Sequence, residues 1–171
     1  MSLELQIEVS LHLALAAFLS MVIGLNRESL NQPAGLRTHM LVGLGAALFT
    51  IISLHAFPNS ETARVAAQVV TGVGFLGAGT ILQRKGDVHY LTTAASIWAT
   101  AAVGMTAGVG AWFLAITATL ISWFVLAIIR RAETEKHIRS QSKGNKVLME
   151  KNQASPTTNQ QDNQVPVNAE V

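Results

Sequence analysis

The apolar positions fall into long runs that no charge interrupts. Val9 to Leu25, Thr38 to Phe57 and Val65 to Leu82 each lack Asp, Glu, Lys and Arg, and the stretch from Leu91 to Ile129 continues in the same way for about twice the length. The hydrocarbon core of a bilayer is crossed by about 20 residues of helix, with about 17 as the lower limit. Gly108-Val109-Gly110 divides the last stretch, since glycine takes the positive φ that a tight turn can demand. The pattern predicts an all-α, polytopic membrane bundle of about five transmembrane helices. The chain starts MSLELQIE, acidic where a secretion signal is basic, so the first run reads as a retained span.

Composition and charge sharpen this reading. Half of the residues are hydrophobic and 13% are charged, against a usual ~25%. Basic residues flanking the spans set orientation. Arg64 stands alone on one side. Arg27, Arg37, Arg84, Lys85 and every Lys or Arg from Arg130 onward fall on the other. The amino terminus is therefore expected outside and the carboxy-terminal tail in the cytoplasm. From about Ser140 the chain turns to Gln, Asn, Ser, Thr and Pro, a composition that cannot repay the entropy of ordering. The expected division is a transmembrane domain over 1–131 and a largely disordered polar tail over 132–171. There is no cysteine, which excludes disulfides and thiolate metal sites. The net charge of +2 comes mostly from the tail and says little about partners; no nucleic-acid partner is expected.

Two glycine patterns compete for meaning. Gly72-Val73-Gly74-Phe75-Leu76-Gly77 has the letters of a dinucleotide fingerprint, but no strand–helix–strand unit surrounds it. Helix packing is the better account, because small residues let backbones approach in lipid. At 100° per residue Gln68, Gly72, Phe75 and Gly79 share one face, Ala67, Gly74 and Ala78 another, with Gly77 nearby. Two small faces predict that this third helix is the centre of the bundle; the sharper alternative is a broken helix lining a site. The fourth span aligns Thr92, Ser96, Ala99 and Val103 and adds Gly104 and Gly108 in G-x-x-x-G spacing. Trp98 reads as a packing residue and Trp112 as an interfacial anchor.

The polar residues at one end form the candidate functional cluster: Asn26, Arg27, Glu28, Arg37, Thr38, Thr92 and Thr93, with Arg84 expected nearby. A buried Arg27–Glu28 pair would orient the first loop and leave Arg37 and the hydroxyls to a partner; the competing reading is a solvated loop whose arginines only fix orientation. Between Glu8 and Glu133 the acids are Glu28, Glu61 and Asp87, all in expected loops. Magnesium favours oxygen ligands with one or two carboxylates, and no acidic relay lies within the spans. A pore of carbonyls and hydroxyls remains conceivable. No nucleophile–base pair supports an enzyme, and no cofactor is expected.

The stretches IGLNRE, AGLRTHMLVGLGAALF, RVAAQVVTGVGFLGAGTIL and LTTAASIWATAAVG, in that order from about Ile23 to Gly104, resemble the MgtC/SapB family of bacterial inner-membrane proteins. Asn26 stands where many relatives carry an acid, and Tyr90 where glycine is common. Longer members carry an ACT-like carboxy-terminal domain, in whose place this chain has the polar tail. The resemblance implies adaptation to magnesium limitation, in some bacteria linked to survival in host cells. It also implies restraint of the F-type ATP synthase through its membrane subunit, which makes that complex a candidate partner beside the lipid bilayer. A regulatory membrane protein is thus expected, with a small-solute or magnesium transporter or channel as the alternative. Oligomeric state is left open.

Overall fold

The computed structural model describes residues 2–56, 62–84 and 87–127, apart from the side chains of Thr62, Arg84 and Asp87. The expected boundary after residue 131 and the polar tail lie outside the described residues, as does the placement of the Arg84 side chain.

Helix α1 covers Leu3–Glu28, about 39 Å at 1.5 Å per residue. It starts six residues before the apolar run because Ser2 caps it, its hydroxyl accepting from the Leu5 N–H at 3.3 Å, and Glu4 stands in the first turn, where the helix dipole favours an acid. The helix stops at a loop in which Asn31 takes φ 51°, a left-handed conformation that Asn tolerates. Pro33, without an N–H, continues the break. Helix α2 runs Leu36–His55 and α3 Thr62–Thr80.

The third span was expected to continue to Leu82 and give way to a plain loop. Instead α3 ends at Thr80, and β1 (Leu82–Arg84) pairs antiparallel with β2 (Asp87–His89) in the register Leu82↔His89, Gln83↔Val88, Arg84↔Asp87. The two intervening residues are Lys85-Gly86, and a two-residue connection with glycine is a hairpin signal.

Helix α4, Leu91–Gly108, ends in a double hydrogen-bonded cap. The Gly110 N–H reaches Ala107 O at 3.0 Å and the Ala111 N–H reaches Thr106 O at 3.2 Å, with Gly110 at φ 81°. This is the Schellman pattern that glycine makes possible. Helix α5 follows over Trp112–Ala127.

The packing places α2 and α4 at the centre, each touching the other, α1 and α3. One apolar cluster joins Ala16, Leu19 and Ile23 of α1 to Ala47, Val103, Ala107 and Ala115. A second joins Ala46, Val73, Ile97 and Ala101. Large apolar side chains such as Phe18, Leu41, Phe49, Phe113 and Phe124 are turned outward. Such a surface is unfavourable in water and natural against lipid tails, where small residues rather than large ones make the helix contacts.

The glycines mark where those contacts are. A Cβ on Gly24 would stand 2.8 Å from Leu36 Cα, one on Gly43 would meet the Ser20 hydroxyl, one on Gly104 would meet the Gly43 carbonyl, and one on Gly108 would stand 2.8 Å from Ala47 O. Gly104 and Gly108 thus lie where α4 presses on α2. Gly72, Gly74 and Gly79 do not play this part within the chain: a Cβ on any of them meets nothing within 4 Å, and one on Gly77 makes only an ordinary contact at 3.4 Å with Ala94 O. The expected central role of α3 is corrected accordingly. The helix lies at the edge of α2 and α4, and the glycine face counted as buried is open. Trp98, expected inside, is 53% exposed, because the buried stripe of α4 runs through Thr93, Ser96, Ile97, Thr100, Val103, Gly104, Ala107 and Gly108.

Candidate functional site

The end of α1, the start of α2 and the start of α4 meet at one end of the bundle. Arg27, in the last turn of α1, is 4% exposed. Its Nη2 donates to Gln32 Oε1 and to Thr93 Oγ1, both at 3.1 Å. The Thr93 hydroxyl in turn donates to Gln32 Oε1 at 3.0 Å, which closes a triangle of three side chains from α1, the first loop and α4. A buried guanidinium held through Nη2 in this way fixes the loop against α4.

Glu28 follows Arg27 in sequence but, about 100° further round the helix, it is exposed. Its Oε2 accepts the N–H of Leu36 at 2.7 Å. Gly35, at the N-cap of α2, has no side chain to do this, so the carboxylate of α1 caps α2 from across the loop. That arrangement also meets the positive end of the α2 dipole. Glu28 therefore serves α2, where a buried pairing with Arg27 was expected.

The rest of the expected cluster divides. Thr93 is fully buried, whereas Arg37, Thr38 and Thr92 are exposed, with no side-chain hydrogen bond among the described residues. Asn26 is half-buried, and its Oδ1 has no hydrogen-bond partner among the described residues.

The structure adds three residues to the site: Gln32, His39 and Ser96. His39 is fully buried. Its Nδ1 lies 2.9 Å from Gly35 O and its Nε2 lies 3.1 Å from Ser96 Oγ. Facing a carbonyl, Nδ1 must carry a proton. The single hydroxyl proton of Ser96 then has two acceptors, His39 Nε2 and Thr93 O at 2.8 Å. With neutral His39 the hydroxyl serves Nε2; with the imidazolium, Nε2–H donates to Ser96 and the hydroxyl serves Thr93 O. Thr100 Oγ1 continues the line by donating to Ser96 O at 2.8 Å. The signal for His39 was present in the sequence. Helical spacing puts it on one stripe with Gly43, Ala46, Ala47 and Thr50, all buried, and a histidine among small residues is one turned inward.

Chemically the site offers a buried cation, a buried imidazole, an amide and several hydroxyls. No group of three or more metal-ligating side chains occurs among the described residues.

The outward-facing apolar helices and inward-facing polar cluster define an all-α membrane protein. Residues 13–135 match the model of the MgtC family. The chain belongs to that family. It is 44% identical over 132 residues to the Escherichia coli K12 protein named putative magnesium transporter YhiD, an alignment covering 72% of this chain and 61% of that one. It is 41% identical over 139 residues to Synechococcus elongatus protein SrpB, covering 73% and 76%. Protein MgtC of Salmonella typhimurium is 41% identical over 122 residues, covering 71% and 52%. The chain thus spans between half and two thirds of YhiD and MgtC. No solved structure matches.

Proposed function

We propose that this chain is a multi-pass protein of the bacterial inner membrane that supports growth under magnesium limitation by associating with another membrane complex. The membrane subunit of the F-type ATP synthase is the partner implied by the family resemblance. The observation that carries this reading is the buried Arg27. A permanent cation locked to Gln32 and Thr93 at the meeting point of α1, α2 and α4 opposes the passage of a divalent cation between these helices. Meanwhile the neighbouring Arg37, Thr38 and Thr92 remain exposed to a partner. The protein acts by contact and is not an enzyme. All five helices cross the membrane, with the amino terminus outside.

The printed name of YhiD favours transport as a second reading. Magnesium flux into proteoliposomes that hold only this protein separates the two: saturable flux overturns the regulatory reading, and its absence, together with co-purification of a membrane complex from magnesium-starved cells, supports it. Reporter fusions should place Asn59 outside and Gly86 inside. A cytoplasmic signal at Asn59 would overturn the topology.

A further inference from the structure

An open groove of about 610 Å³ lies between α2 and α3. Its walls are apolar except at one end, where Arg64 and Gln68 of α3 border it. Leu41 and Leu76 lie toward the other end, as the antiparallel course of the two helices requires. From Arg64 to Leu76 the α3 wall is about 18 Å long at 1.5 Å per residue. That is slightly more than half of the ~30 Å hydrocarbon thickness, the depth of one leaflet. Two of the wall residues are Gly45 and Gly72, and a Cβ on either meets nothing within 4 Å. The groove is therefore room kept free by glycine, with a cation three residues into α3, at the level where a span enters the headgroup region.

The geometry points to a phospholipid as the occupant: its phosphate sits on the exposed Arg64 guanidinium and one acyl chain lies along the groove past Gly45 and Gly72. Three features support this choice. Water is excluded by the apolar walls, the groove reaches one leaflet deep, and the charge at its mouth is complementary to a phosphodiester. Basic side chains at a membrane surface attract lipid headgroups in this way. The site is separate from the Arg27 cluster and does not depend on whether the protein regulates or transports. It rests only on membrane placement.

The test is native mass spectrometry of the full chain, extracted from nanodiscs of phosphatidylethanolamine and phosphatidylglycerol, with bound lipid counted per protomer during stepwise delipidation. The wild type should keep one phospholipid after the others are stripped. Arg64→Gln should weaken retention about fivefold, the worth of one surface cation. Gly72→Leu and, from the opposite wall, Gly45→Leu fill the groove and should abolish retention. Gly79→Leu, also open but not lining the groove, should leave it unchanged. Circular dichroism and a single elution peak establish that each variant is folded. Undiminished lipid in folded Gly72→Leu and Gly45→Leu overturns the proposal. So does a wild type that runs as a lipid-free dimer which both substitutions dissociate, for then a second copy fills the groove.

Discussion

The same residue type does opposite work in two regions of this bundle. In the α1–α2–α4 core, glycine is the condition for contact: Gly43 receives Ser20 on one side and Gly104 on the other, and Gly108 rests on Ala47. At α3, Gly72, Gly74 and Gly79 leave the helix open, with a groove toward α2 and a smaller cavity of about 280 Å³ toward α4 beside Trp98 and Met105. Small residues in a membrane helix therefore leave room for close approach without showing that a neighbour of the same chain fills it. The α2–α4 backbone approach lies at Gly104 and Gly108, a G-x-x-x-G pair less conspicuous in the sequence than the glycine run of α3.

The comparison breaks most sharply at Gly104. Gly104→Leu drives a side chain into the Gly43 backbone, which cannot step aside, and overpacking of even a deformable core costs about 1–3 kcal/mol. Loss of the folded protein is expected, and Gly104→Ala should already lower the melting temperature in detergent. Gly72→Leu, meeting open space, should stay within about 0.5 kcal/mol of wild type, as surface substitutions do. Equal melting temperatures for Gly104→Leu and Gly72→Leu would erase the distinction between the two regions.

A second contrast lies within the polar cluster. Arg27→Ala removes a charged donor from Gln32 and Thr93 in a buried setting, and each such hydrogen bond is worth about 1.5–3 kcal/mol. Reduced membrane abundance is expected. Arg37→Ala removes an exposed side chain and should leave abundance unchanged while abolishing growth support under magnesium limitation. If cells with normal amounts of Arg37→Ala protein grow as wild type, the exposed half of the cluster is not the contact surface and the solvated-loop reading of Arg37 stands.

Ser96→Ala probes the line from Thr93 to His39 with a smaller effect. It leaves His39 Nε2 without its hydrogen-bond partner, a loss of about 1–3 kcal/mol for a buried polar group. Ser96→Thr, which keeps a hydroxyl, should recover part of that stability in a denaturant titration. Identical midpoints for Ser96→Ala and wild type would mean that the imidazole finds another partner.

Much of this fold was legible from charge placement alone. Uninterrupted apolar runs reveal helices in lipid because no other use of such runs satisfies the backbone, and the α4–α5 break was visible at Gly110. The hairpin after α3 was missed because Leu82 prolongs the apolar run that precedes it, although Lys85-Gly86 marked a turn. The candidate site was half legible. Arg27 and Thr93 came together as expected, but adjacent residues on a helix point apart, so Glu28, Arg37, Thr38 and Thr92 could not all join them. Composition does not reveal which face turns inward; that depends on which helix lies alongside, and α2 and α4 decide it here.

The finest contrast is between the two ends of α4, which use the same left-handed backbone with different residues. Gly110 closes the helix at φ 81° and Tyr90 opens it at φ 68°. For a residue with a Cβ that conformation costs about 1–2 kcal/mol. Gly110→Ala should therefore destabilise by about that amount, with the added methyl 3.1 Å from His12 Cε1. Tyr90→Gly should act in the opposite direction. It relieves the strain, but the greater freedom of glycine in the unfolded chain returns about 0.5–1 kcal/mol. The Tyr90 side chain is 40% exposed and its ring lies 6.2 Å from that of His89, a contact that substitution by either Gly or Ala removes. The net expectation is a small rise in melting temperature, below 1 kcal/mol in effect. Tyr90→Ala is the control, since it removes the ring and keeps the Cβ, and it should bring no gain. If Tyr90→Ala stabilises as much as Tyr90→Gly, the strain lies in the aromatic side chain and not in the backbone, and the two ends of α4 are not equivalent after all.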